Sequence, residues 1–383
     1  MGDGVYLLTT NPGLEDIVEI ELREQLRSGV VADYDIDSFA VVRKPWGFAG
    51  TLLVSTPGDV ASSDAVRSEI EDALLRMRSV YHIVRHLRTV ELAGNDLMAE
   101  LLAAVEETAI ETVSPDDTFR VSSKRSGSHS FRSVDIEREA GAVVQRQTGM
   151  SVDLEHFSVH VRVDLRDRLC TVGLQLTRDG LDRRWQWRYR PRVALRTVVA
   201  YGMLRLARLE NMPGCILDPF CGSGTILLEA AAMFPQARIV GADKVLECVE
   251  GARENILAAG LDSRVSVEHA DARDLVEEWP AGSVDAVVTN PPFGVRLGRK
   301  TDFEHLYDRF LRGVEHVLRP GGRAVFLGGK RRHYVSRVLA RVHGLRMKHV
   351  RVIETGGVYP AVYVLERITG DPASGSGVSE AAP

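Results

Sequence analysis

A glycine-rich loop between a buried strand and a helix is the feature that most constrains the fold of this chain. The loop is Leu217–Thr225 (LDPFCGSGT); an apolar stretch precedes it and the helical run Ile226–Ala232 follows. Glycines let a backbone approach a ligand closely, and the N–H groups of the following helix face outward, so such a loop marks the ligand edge of an α/β sheet. No Lys-Ser/Thr pair follows the glycines, and the G-x-G-x-x-G spacing is missing. The two common phosphate-binding loops are therefore excluded.

The C-terminal half alternates short apolar strands with helices, which is the pattern of a Rossmann-like α/β fold. Several strands are nearly continuous in apolar residues, as expected for parallel strands buried on both faces. A Gly356-Gly357 turn joins the last two, so the sheet is predicted to end in an antiparallel hairpin. The seven predicted strands are Cys215–Phe220, Arg238–Asp243, Val265–His269, Val284–Asn290, Arg323–Leu327, Met347–Ile353 and Ala361–Leu365.

Three aspartates stand where such a sheet places its ligand contacts. Asp218 lies beside the loop, where an acid suits a cationic ligand that carries an amino acid moiety. Asp243 ends the second strand, the place for a carboxylate that accepts ribose hydroxyls, and Asp271 follows the third strand, where it can accept from an adenine amino group. The latter two aspartates, each taken alone, fit a helix cap equally well. Together with the loop they predict a pocket for S-adenosylmethionine, lined by Asp218, Phe220, Cys221, Gly222, Gly224, Asp243, Asp271, Ala272 and Asn290.

The fourth strand leads into Asn290-Pro291-Pro292-Phe293-Gly294, which resembles the signature of methyltransferases that modify exocyclic amino nitrogens. An aryl amine is a poor nucleophile because its lone pair is delocalised into the ring. The Asn290 side-chain oxygen and the Pro291 carbonyl are expected to accept one N–H each, so that the lone pair points at the methyl carbon. Phe293 is expected to offer a ring face to the flipped base. A cytosine-C5 enzyme would carry a Pro-Cys nucleophile on this loop, and this sequence does not.

The N-terminal half predicts a small α+β unit and, after the linker Ser55–Ser63, a second unit. In the first, the apolar spacing of Leu14–Leu26 predicts a helix. In the second, apolar residues alternate on both sides of Arg166–Arg168, which predicts a hairpin with one buried face. The other predicted strands are Val5–Thr9, Phe39–Val42, Gly50–Val54 and Phe119–Lys124, and the other predicted helices are Asp64–Met77, Asp96–Ala109 and one that begins at Ser133 and is closed by Gly149.

Nearly the whole chain resembles the THUMP-domain RNA guanine-N2 methyltransferase family. Residues 119–121, 124–127, the helix from Ser133, and 172–176 with 181–184 carry the resemblance to a THUMP domain. Residues 9–15 resemble the start of the ferredoxin-like domain that precedes it. Residues 191–206 are similar to the helix before the catalytic domain, which implies that Thr197 caps that helix near the cofactor carboxylate. The implied domains are 1–62 (ferredoxin-like), 63–184 (THUMP), 185–209 (linker and lead-in helix), 210–368 (methyltransferase) and 369–383 (disordered tail).

The middle segment is basic within an acidic chain. Phe119–Arg192 carries 15 Lys and Arg against 9 Asp and Glu, whereas the whole chain has a net charge of −5. A local basic patch permits a polyanion partner, and the resemblance implies that this partner is the acceptor stem of a tRNA. Aromatic and basic residues alternate over 184–190, so this segment is either an RNA-stacking strip or a packing seam between domains. The predicted RNA-binding residues are Lys124, Arg125, Arg132, Arg188, Arg190, Lys330 and Arg331, and the aromatic ones in question are Trp185, Trp187 and Tyr189.

The resemblance implies an S-adenosylmethionine-dependent enzyme that makes N2-methylguanosine in tRNA, at position 6 of the acceptor stem. An enzyme acting on rRNA, a DNA adenine-N6 methyltransferase and a non-catalytic RNA-binding protein remain the alternatives. The family most often has Tyr where this chain has Phe293, so this ring can stack but has no hydroxyl to offer a hydrogen bond. The apolar runs are too short for a membrane span, which needs about 20 residues. The four cysteines form no C-x-x-C pair, which predicts a cytoplasmic protein without a zinc site or disulfides. We also expect the protein to be a monomer.

Overall fold

The computed structural model describes residues 4–28, 35–58, 64–110, 114, 116–191, 193–209, 214–292, 302–329 and 332–369. The chain forms two compact units. Unit 1 contains Met1–Thr10 and Val18–Leu181, and unit 2 contains Asn11–Ile17 and Asp182–Pro383. The finer domain boundaries expected from the sequence stay proposals, and the expected tail beyond residue 369 lies outside the described residues. Within the described ranges, no helix has the length and apolar character needed to cross a membrane.

A mixed sheet of nine strands forms the centre of the described part of unit 1. Its strands are β1 Val5–Thr9, β2 Ala40–Arg43, β3 Thr51–Ser55, β4 His82–Glu91, β5 Thr118–Ser122, β6 Arg125–Ser126, β7 Ser151–Val152, β8 Val159–Arg166 and β9 Leu169–Gln175. They lie in the order β2-β3-β1-β4-β9-β8-β5-β7, with β6 paired to β8. The predicted hairpin is confirmed, since β8 and β9 pair antiparallel.

Helices pack on this sheet through two buried clusters. The helices are α1 Glu15–Arg27, α2 Asp64–Leu75, α3 Leu97–Glu106 and α4 Ser133–Thr148. The first cluster joins α1 and α2 to β1 through Tyr6 and Leu8, and the second joins α3 and α4 to β8 through Val161 and Val163. Asp96 caps α3, because its Oδ1 accepts from Ala99 N at 3.1 Å. These contacts are why the apolar spacing in the sequence predicts the helices correctly.

Strand β4 is the longest strand of unit 1 that the sequence pattern did not predict; the two-residue strands β6 and β7 were not predicted either. It pairs with β1 on one side and β9 on the other, so it lies at the centre of the sheet. A β-bulge between His86 and Arg88 interrupts the alternation of its side chains. Only Ile83 and Val84 are buried, and the other side chains are partly exposed or polar. The period-2 signal is therefore too weak in this stretch to indicate a strand.

Unit 2 contains a seven-stranded sheet, which confirms the predicted Rossmann-like fold. The strands are β10 Cys215–Asp218, β11 Arg238–Asp243, β12 Val265–His269, β13 Val284–Thr289, β14 Leu318–Gly328, β15 Leu345–Val352 and β16 Ala361–Arg367. Their order is β12-β11-β10-β13-β14-β16-β15, parallel except that β16 is antiparallel to both neighbours. From β10 the chain adds β11 and β12 on one side, and it then crosses to the other side of β10 to add β13 and β14. The strand order therefore reverses beside β10. Ligands bind at such a switch point, outside the carboxyl ends of the strands.

The helices of unit 2 flank this sheet and complete its core. They are α5 Thr197–Leu206, α6 Thr225–Met233, α7 Leu246–Ala258, α8 Leu275–Glu278, α9 Phe303–Val317 and α10 Arg332–Leu339. Phe310 of α9 and Phe326 of β14 are fully buried and meet edge to face at 5.8 Å between ring centroids. This core fixes β10 and β13 side by side, and the candidate site is built on their ends.

Unit 2 also includes a short N-terminal segment, Asn11–Ile17. Asn11 Nδ2 donates to the carbonyl of Glu354 at 2.8 Å. Arg351 Nη1 and Nη2 donate to the two carboxylate oxygens of Asp16 at 2.6 and 2.8 Å. A bidentate pair of this kind fixes orientation as well as position. The first turn of α1 is therefore held by residues that follow it by more than 300 positions in sequence.

Candidate active site

The glycine-rich loop leaves the end of β10 and enters α6 with its glycines in left-handed conformations. Gly222 has φ +52° and Gly224, which precedes the first residue of α6, has φ +81°. Non-glycine residues rarely adopt such values. A Cβ on Gly222 would have no atom within 4 Å, so open space lies in front of this residue. The loop thus combines an accessible backbone with a helix N-terminus, as the sequence predicts.

Asp218 is a buried carboxylate at the end of β10. It is 1% exposed, and its Oδ1 accepts from Thr289 Oγ1 at 2.5 Å and from Phe220 N at 3.2 Å. Burial raises the pKa of Asp218 to about 7, although the two hydrogen bonds oppose this rise. Because water does not solvate the buried carboxylate, a cationic partner is what most stabilises its ionised form. Thr289, which sequence reasoning missed, ties the end of β13 to the end of β10.

Asp243 ends β11 as predicted, and it also shapes the loop. Its Oδ2 accepts from Gly222 N at 3.0 Å and its Oδ1 accepts from Val245 N at 3.0 Å. Each carboxylate oxygen has a second lone pair. Asp243 can therefore hold the glycine-rich loop and still accept hydroxyl groups of a ligand.

Asp271 follows β12, and an arginine two residues later binds it. Arg273 Nη2 donates to its Oδ2 at 2.6 Å, and Arg273 Nε and N each donate to its Oδ1 at 3.0 Å. Burial acts to raise the pKa of Asp271, but the bonds and charge of Arg273 outweigh it and hold the pKa below its usual value. Ala272 beside it is 3% exposed and part of the core. Asp271 is thus an ionised acceptor whose orientation is set by Arg273, a partner that sequence reasoning did not single out.

Asn290 follows β13 and carries an acceptor without a partner. Its Oδ1 is buried and receives no hydrogen bond from the described residues. A buried, unsatisfied carbonyl oxygen is unfavourable unless a ligand supplies the donor. Pro291 beside it is buried as well. Phe293, the third predicted catalytic residue, lies outside the described residues.

The other predicted cofactor residues lie around the loop with different roles. Cys221 is 6% exposed, and burial raises the pKa of its thiol well above the usual value, so it does not act as a nucleophile. The Phe220 ring meets Phe310 edge to face at 5.4 Å. The expectation that Thr197 caps α5 is wrong: Arg196 precedes the helix, and the Thr197 hydroxyl donates to the carbonyl of Asp182 at 2.9 Å.

The aromatic strip at 184–190 packs on unit 2 itself. Trp185, Trp187 and Tyr189 are partly buried, whereas Arg188 and Arg190 are exposed, so the predicted alternation is present. Trp185 Nε1 donates to the buried Glu229 on α6 at 2.6 Å. Trp185 and Tyr189 therefore contact the helices on either side of the glycine-rich loop, within unit 2. An RNA-stacking role for the strip stays a proposal.

Asn255 on α7 joins this strip to the loop. Its Oδ1 accepts from Arg188 N at 2.7 Å and from Tyr189 N at 2.9 Å, and its Nδ2 donates to the carbonyls of Tyr189 at 2.7 Å and Ser223 at 3.0 Å. Asn255 is 1% exposed, so all four bonds are shielded from water. The signal in the sequence was a polar residue on the buried face of a helix, beside Ala252 and Ile256.

The predicted RNA contacts of unit 1 differ in how free their side chains are. Lys124 and Arg132 are exposed. Arg125 is partly buried, and its Nη1 donates to Gly127 O at 3.0 Å and to His129 Nδ1 at 2.9 Å, so it organises its own loop. Lys330 and Arg331 lie outside the described residues. In the part of the chain that the structure describes, no group of His, Cys, Asp or Glu forms a metal site.

Two known families match the sequence of this chain. The family described as "RMKL-like, methyltransferase domain" matches residues 184–361, and the THUMP domain matches residues 97–175. The second match covers α3, α4 and the hairpin of β8 and β9. The first covers the lead-in helix, the glycine-rich loop and Asn290.

Named relatives and a solved structure resemble the chain over most of its length. It is 38% identical over 370 residues to the tRNA (guanine(6)-N2)-methyltransferase of Thermus thermophilus, covering 94% of this chain and 98% of the relative. It is 31% identical over 280 residues to the enzyme of the same name from Archaeoglobus fulgidus, covering 64% and 69%. The crystal structure of TrmN from Thermus thermophilus is similar with a TM-score of 0.70 and 34% identity, covering 95% of this chain and 99% of that one.

Proposed function

This chain belongs to the family of THUMP-domain RNA guanine-N2 methyltransferases, and on that premise we propose that it methylates the exocyclic N2 of guanosine 6 in tRNA. The relatives' names support the substrate, since both enzymes described above are tRNA (guanine(6)-N2)-methyltransferases. The methyl donor of this family is S-adenosylmethionine. The acceptor stem as the gripped part of the tRNA, a cytoplasmic location and a monomeric state belong to the same proposal.

The residues at the ends of β10 and β11 fit S-adenosylmethionine. Open space in front of Gly222 leaves room for the ligand beside the backbone. Asp218 offers a buried carboxylate to the cationic amino group, and Asp243 offers its remaining lone pairs to the ribose hydroxyls. Bound there, the cofactor supplies an electrophilic methyl carbon on a sulfonium. Asp271 and the backbone of Ala272 would face the adenine, with the carboxylate turned by Arg273.

The single observation that carries the reaction type is the unpartnered Oδ1 of Asn290. A guanine N2 amino group brings two N–H donors, and Asn290 Oδ1 accepts one of them. The carbonyl of Pro291 accepts the other, which holds both hydrogens to one side and directs the nitrogen lone pair away from them. Thr289, locked to Asp218, fixes the strand end from which Asn290 projects. The amine is thereby oriented before the methyl group transfers.

Proton removal needs no dedicated base in this scheme. Once the nitrogen gains a fourth bond its proton becomes acidic, and water can accept it directly. Phe293 would stack on the flipped guanine. Lys124, Arg132, Arg188 and Arg190, together with Lys330 and Arg331, are the proposed phosphate contacts, whereas Arg125 acts through the shape of its loop.

Mapping of the modified nucleoside tests the function directly. An unmodified tRNA transcript is incubated with the purified protein and S-adenosylmethionine, digested, and analysed by mass spectrometry with fragment mapping. We expect N2-methylguanosine at position 6, strongly reduced when the protein carries Asn290→Ala, and none when the transcript has adenosine at position 6. Methylation of rRNA fragments or of adenine in duplex DNA, with none of tRNA, would contradict the proposal and favour one of the alternatives.

A further inference from the structure

Helix α9 lies against two sides of the proposed cofactor pocket. Phe310 meets Phe220 of the glycine-rich loop edge to face, with 5.4 Å between the ring centroids. Three residues later, Gly313 packs on Leu275, the first residue of α8. A Cβ on this glycine would lie only 2.6 Å from the Leu275 Cβ, so α9 is in close contact with the segment that follows β12.

Arg309 of α9 binds the turn that carries Asp271. Its Nε donates to the carbonyl of Arg273 at 3.0 Å. Its Nη2 donates to Asp274 Oδ1 at 3.3 Å and to Glu277 Oε1 at 3.1 Å. Three acceptors from the turn and from α8 thus meet at one planar guanidinium, which fixes their positions relative to each other. Nothing in the proposed function uses this arginine.

The turn is otherwise shaped by bonds within itself. Asp274 N donates to the carbonyl of Asp271 at 2.9 Å, and Arg273 N donates to Asp271 Oδ1 at 3.0 Å. These bonds close the turn but do not connect it to a neighbouring element. Among the residues that the structure describes, Arg309 supplies the side-chain hydrogen bonds that join this turn to another helix.

The orientation of the Asp271 carboxylate decides which ligand edge it can bind. Arg273 Nη2 donates to its Oδ2 at 2.6 Å, and the bonds and charge of Arg273 hold the pKa of Asp271 below its usual value. An ionised carboxylate accepts hydrogen bonds and has none to donate, so it favours a purine that carries an amino group at this edge. A hydrogen bond weakens steeply as its angle departs from linearity. Discrimination between purines therefore depends on how firmly the turn is held.

We propose that Arg309 is a positioning residue that sets the specificity of the cofactor site for adenine. By joining the turn to α9, it keeps the Asp271 carboxylate at the angle at which it accepts from the 6-amino group. Arg309 acts through the turn and has no contact of its own with the cofactor. The proposal rests on the proposed function in taking S-adenosylmethionine as the cofactor and Asp271 as its adenine contact.

Two substitutions of Arg309 and one of its neighbour Arg312 test the proposal. Arg309→Gln removes the charge and the planar fork, whereas Arg309→Lys keeps the charge but cannot bind three acceptors from one plane, so its effect should be intermediate. Arg312→Gln is the matched control, because Arg312 donates to Asp308 within α9 at 3.0 Å. The two arginines are 40% and 49% exposed. None of the substitutions should lower the melting temperature by more than a few degrees.

Calorimetry with the full-length protein measures the affinity for S-adenosylhomocysteine and for its analogue that lacks the 6-amino group. The wild-type protein should bind S-adenosylhomocysteine about 10- to 100-fold more tightly, the scale of one hydrogen bond to a charged group. Arg309→Gln should lower this ratio by about fivefold or more, because a misaligned carboxylate loses most of that bond. Arg312→Gln should keep the wild-type ratio. A merely structural role would weaken both ligands equally, and an unchanged ratio in Arg309→Gln would overturn the proposal.

Steady-state kinetics on a tRNA transcript provide a second readout. Arg309→Gln should raise the KM for S-adenosylmethionine and leave kcat unchanged, because the substitution affects the adenine end of the cofactor and not the reacting atoms. A lower kcat with an unchanged KM would contradict the proposal.

Asp271→Ala separates this proposal from the function on which it rests. This substitution should bring the affinity ratio of the two ligands to about one, because it removes the acceptor itself. If it does so while Arg309→Gln keeps the wild-type ratio, the adenine contact stands and the proposal fails. If the wild-type protein binds both ligands equally, the proposal fails together with the adenine contact. Mapping of the methylated nucleoside decides the proposed function in either case.

Discussion

In the proposed reaction, one atom of Asn290, its Oδ1, orients the amino group that receives the methyl group. This oxygen is buried and has no hydrogen-bond partner among the described residues. An amine that donates to this oxygen supplies the missing hydrogen bond and is itself oriented by it. The same atom is far less important for binding the cofactor, whose proposed contacts lie on Asp218, Asp243 and the loop between them. Catalysis and cofactor affinity should therefore respond to different substitutions.

Asn290→Ala should lower kcat by about 100-fold or more with little change in cofactor affinity, the scale seen when one preorganised polar group is removed from a transition state. Asp243→Ala should instead raise the KM for S-adenosylmethionine. Steady-state kinetics on a tRNA transcript, with cofactor binding measured by calorimetry, check both. Similar effects of the two substitutions on kcat and KM would contradict this division of roles.

Asp218 should make cofactor binding depend on pH near neutrality. Because burial raises its pKa to about 7, the carboxyl is mostly protonated at lower pH, and a cationic amino group binds the ionised form better. Affinity for S-adenosylmethionine should rise as the pH increases through about 7, and binding below that pH should release a proton. Calorimetry in buffers of different ionisation enthalpy measures the release. Asp218→Asn should abolish this dependence, and a proton release that persists in it would assign the effect to another group.

Asp218 should also make the free energy of unfolding depend on pH, in the direction opposite to that of cofactor affinity. The folded pKa of Asp218 lies above the unfolded value of about 3.9, so the folded state without ligand binds more protons between these two values. The free energy of unfolding should thus decrease as the pH rises from about 4 through about 7. Ligand binding to the ionised carboxylate would offset this loss.

At the residue scale, local spacing predicts the groups that stand at strand ends but not their partners. Asp218 and Asp243 end their strands and Asn290 directly follows its strand, and a glycine-rich loop and buried strands mark those positions in the sequence. Thr289 and Arg273 were missed. Their roles depend on which strands are neighbours and on side-chain direction, which one-dimensional patterns do not contain.

At the scale of elements, α7 acts as a clamp through Asn255. This side chain bonds the strip at Arg188 and Tyr189 on one side and Ser223 of the glycine-rich loop on the other. The strip exposes arginines on its outer face, so the proposed RNA contacts and the cofactor loop share one support. Loss of that support should disturb both.

Asn255→Ala should lower the free energy of unfolding by about 2–4 kcal/mol, since it leaves several buried backbone groups unpaired at about 1–3 kcal/mol each. It should also raise the dissociation constant of S-adenosylmethionine. Asn255→Asp keeps the acceptor for Arg188 N and Tyr189 N and should be milder. Thermal melts and calorimetry measure these effects, with the exposed Glu254→Ala as control. A cofactor affinity that stays at the wild-type value in Asn255→Ala would show that the loop does not need the clamp.

The hydrophobic pattern of the sequence predicts a helix or strand well only where the burial of its side chains follows a regular pattern. In unit 2, strands such as β10, β13 and β16 were predicted because burial on both faces gives nearly continuous apolar runs. Strand β4 was missed because a bulge shifts its alternation and polar side chains cover the sheet face away from the helices.

For the whole molecule, charge is uneven, with a basic middle segment in a chain of net charge −5. Binding of tRNA should therefore rest on local phosphate contacts and weaken as the salt concentration rises, with a slope set by the number of those contacts, while cofactor binding should not depend on salt in this way. Filter binding over a salt series should give a linear log–log plot, and the double substitution Arg188→Gln/Arg190→Gln should reduce its slope by about 0.7–0.9 for each phosphate that these arginines neutralise. A slope that the double substitution leaves intact would exclude these arginines as phosphate contacts.

The placement of residues 11–17 in unit 2 has a consequence for biosynthesis. A ribosome releases this segment early, yet Asn11 and Asp16 bond to Glu354 and Arg351, which are 343 and 335 positions away. The nascent polypeptide must hold the segment without these neighbours until translation is almost finished, and contacts of such separation form slowly. A fragment that starts at Asp182 would lack the segment altogether and leave Arg351 without its carboxylate.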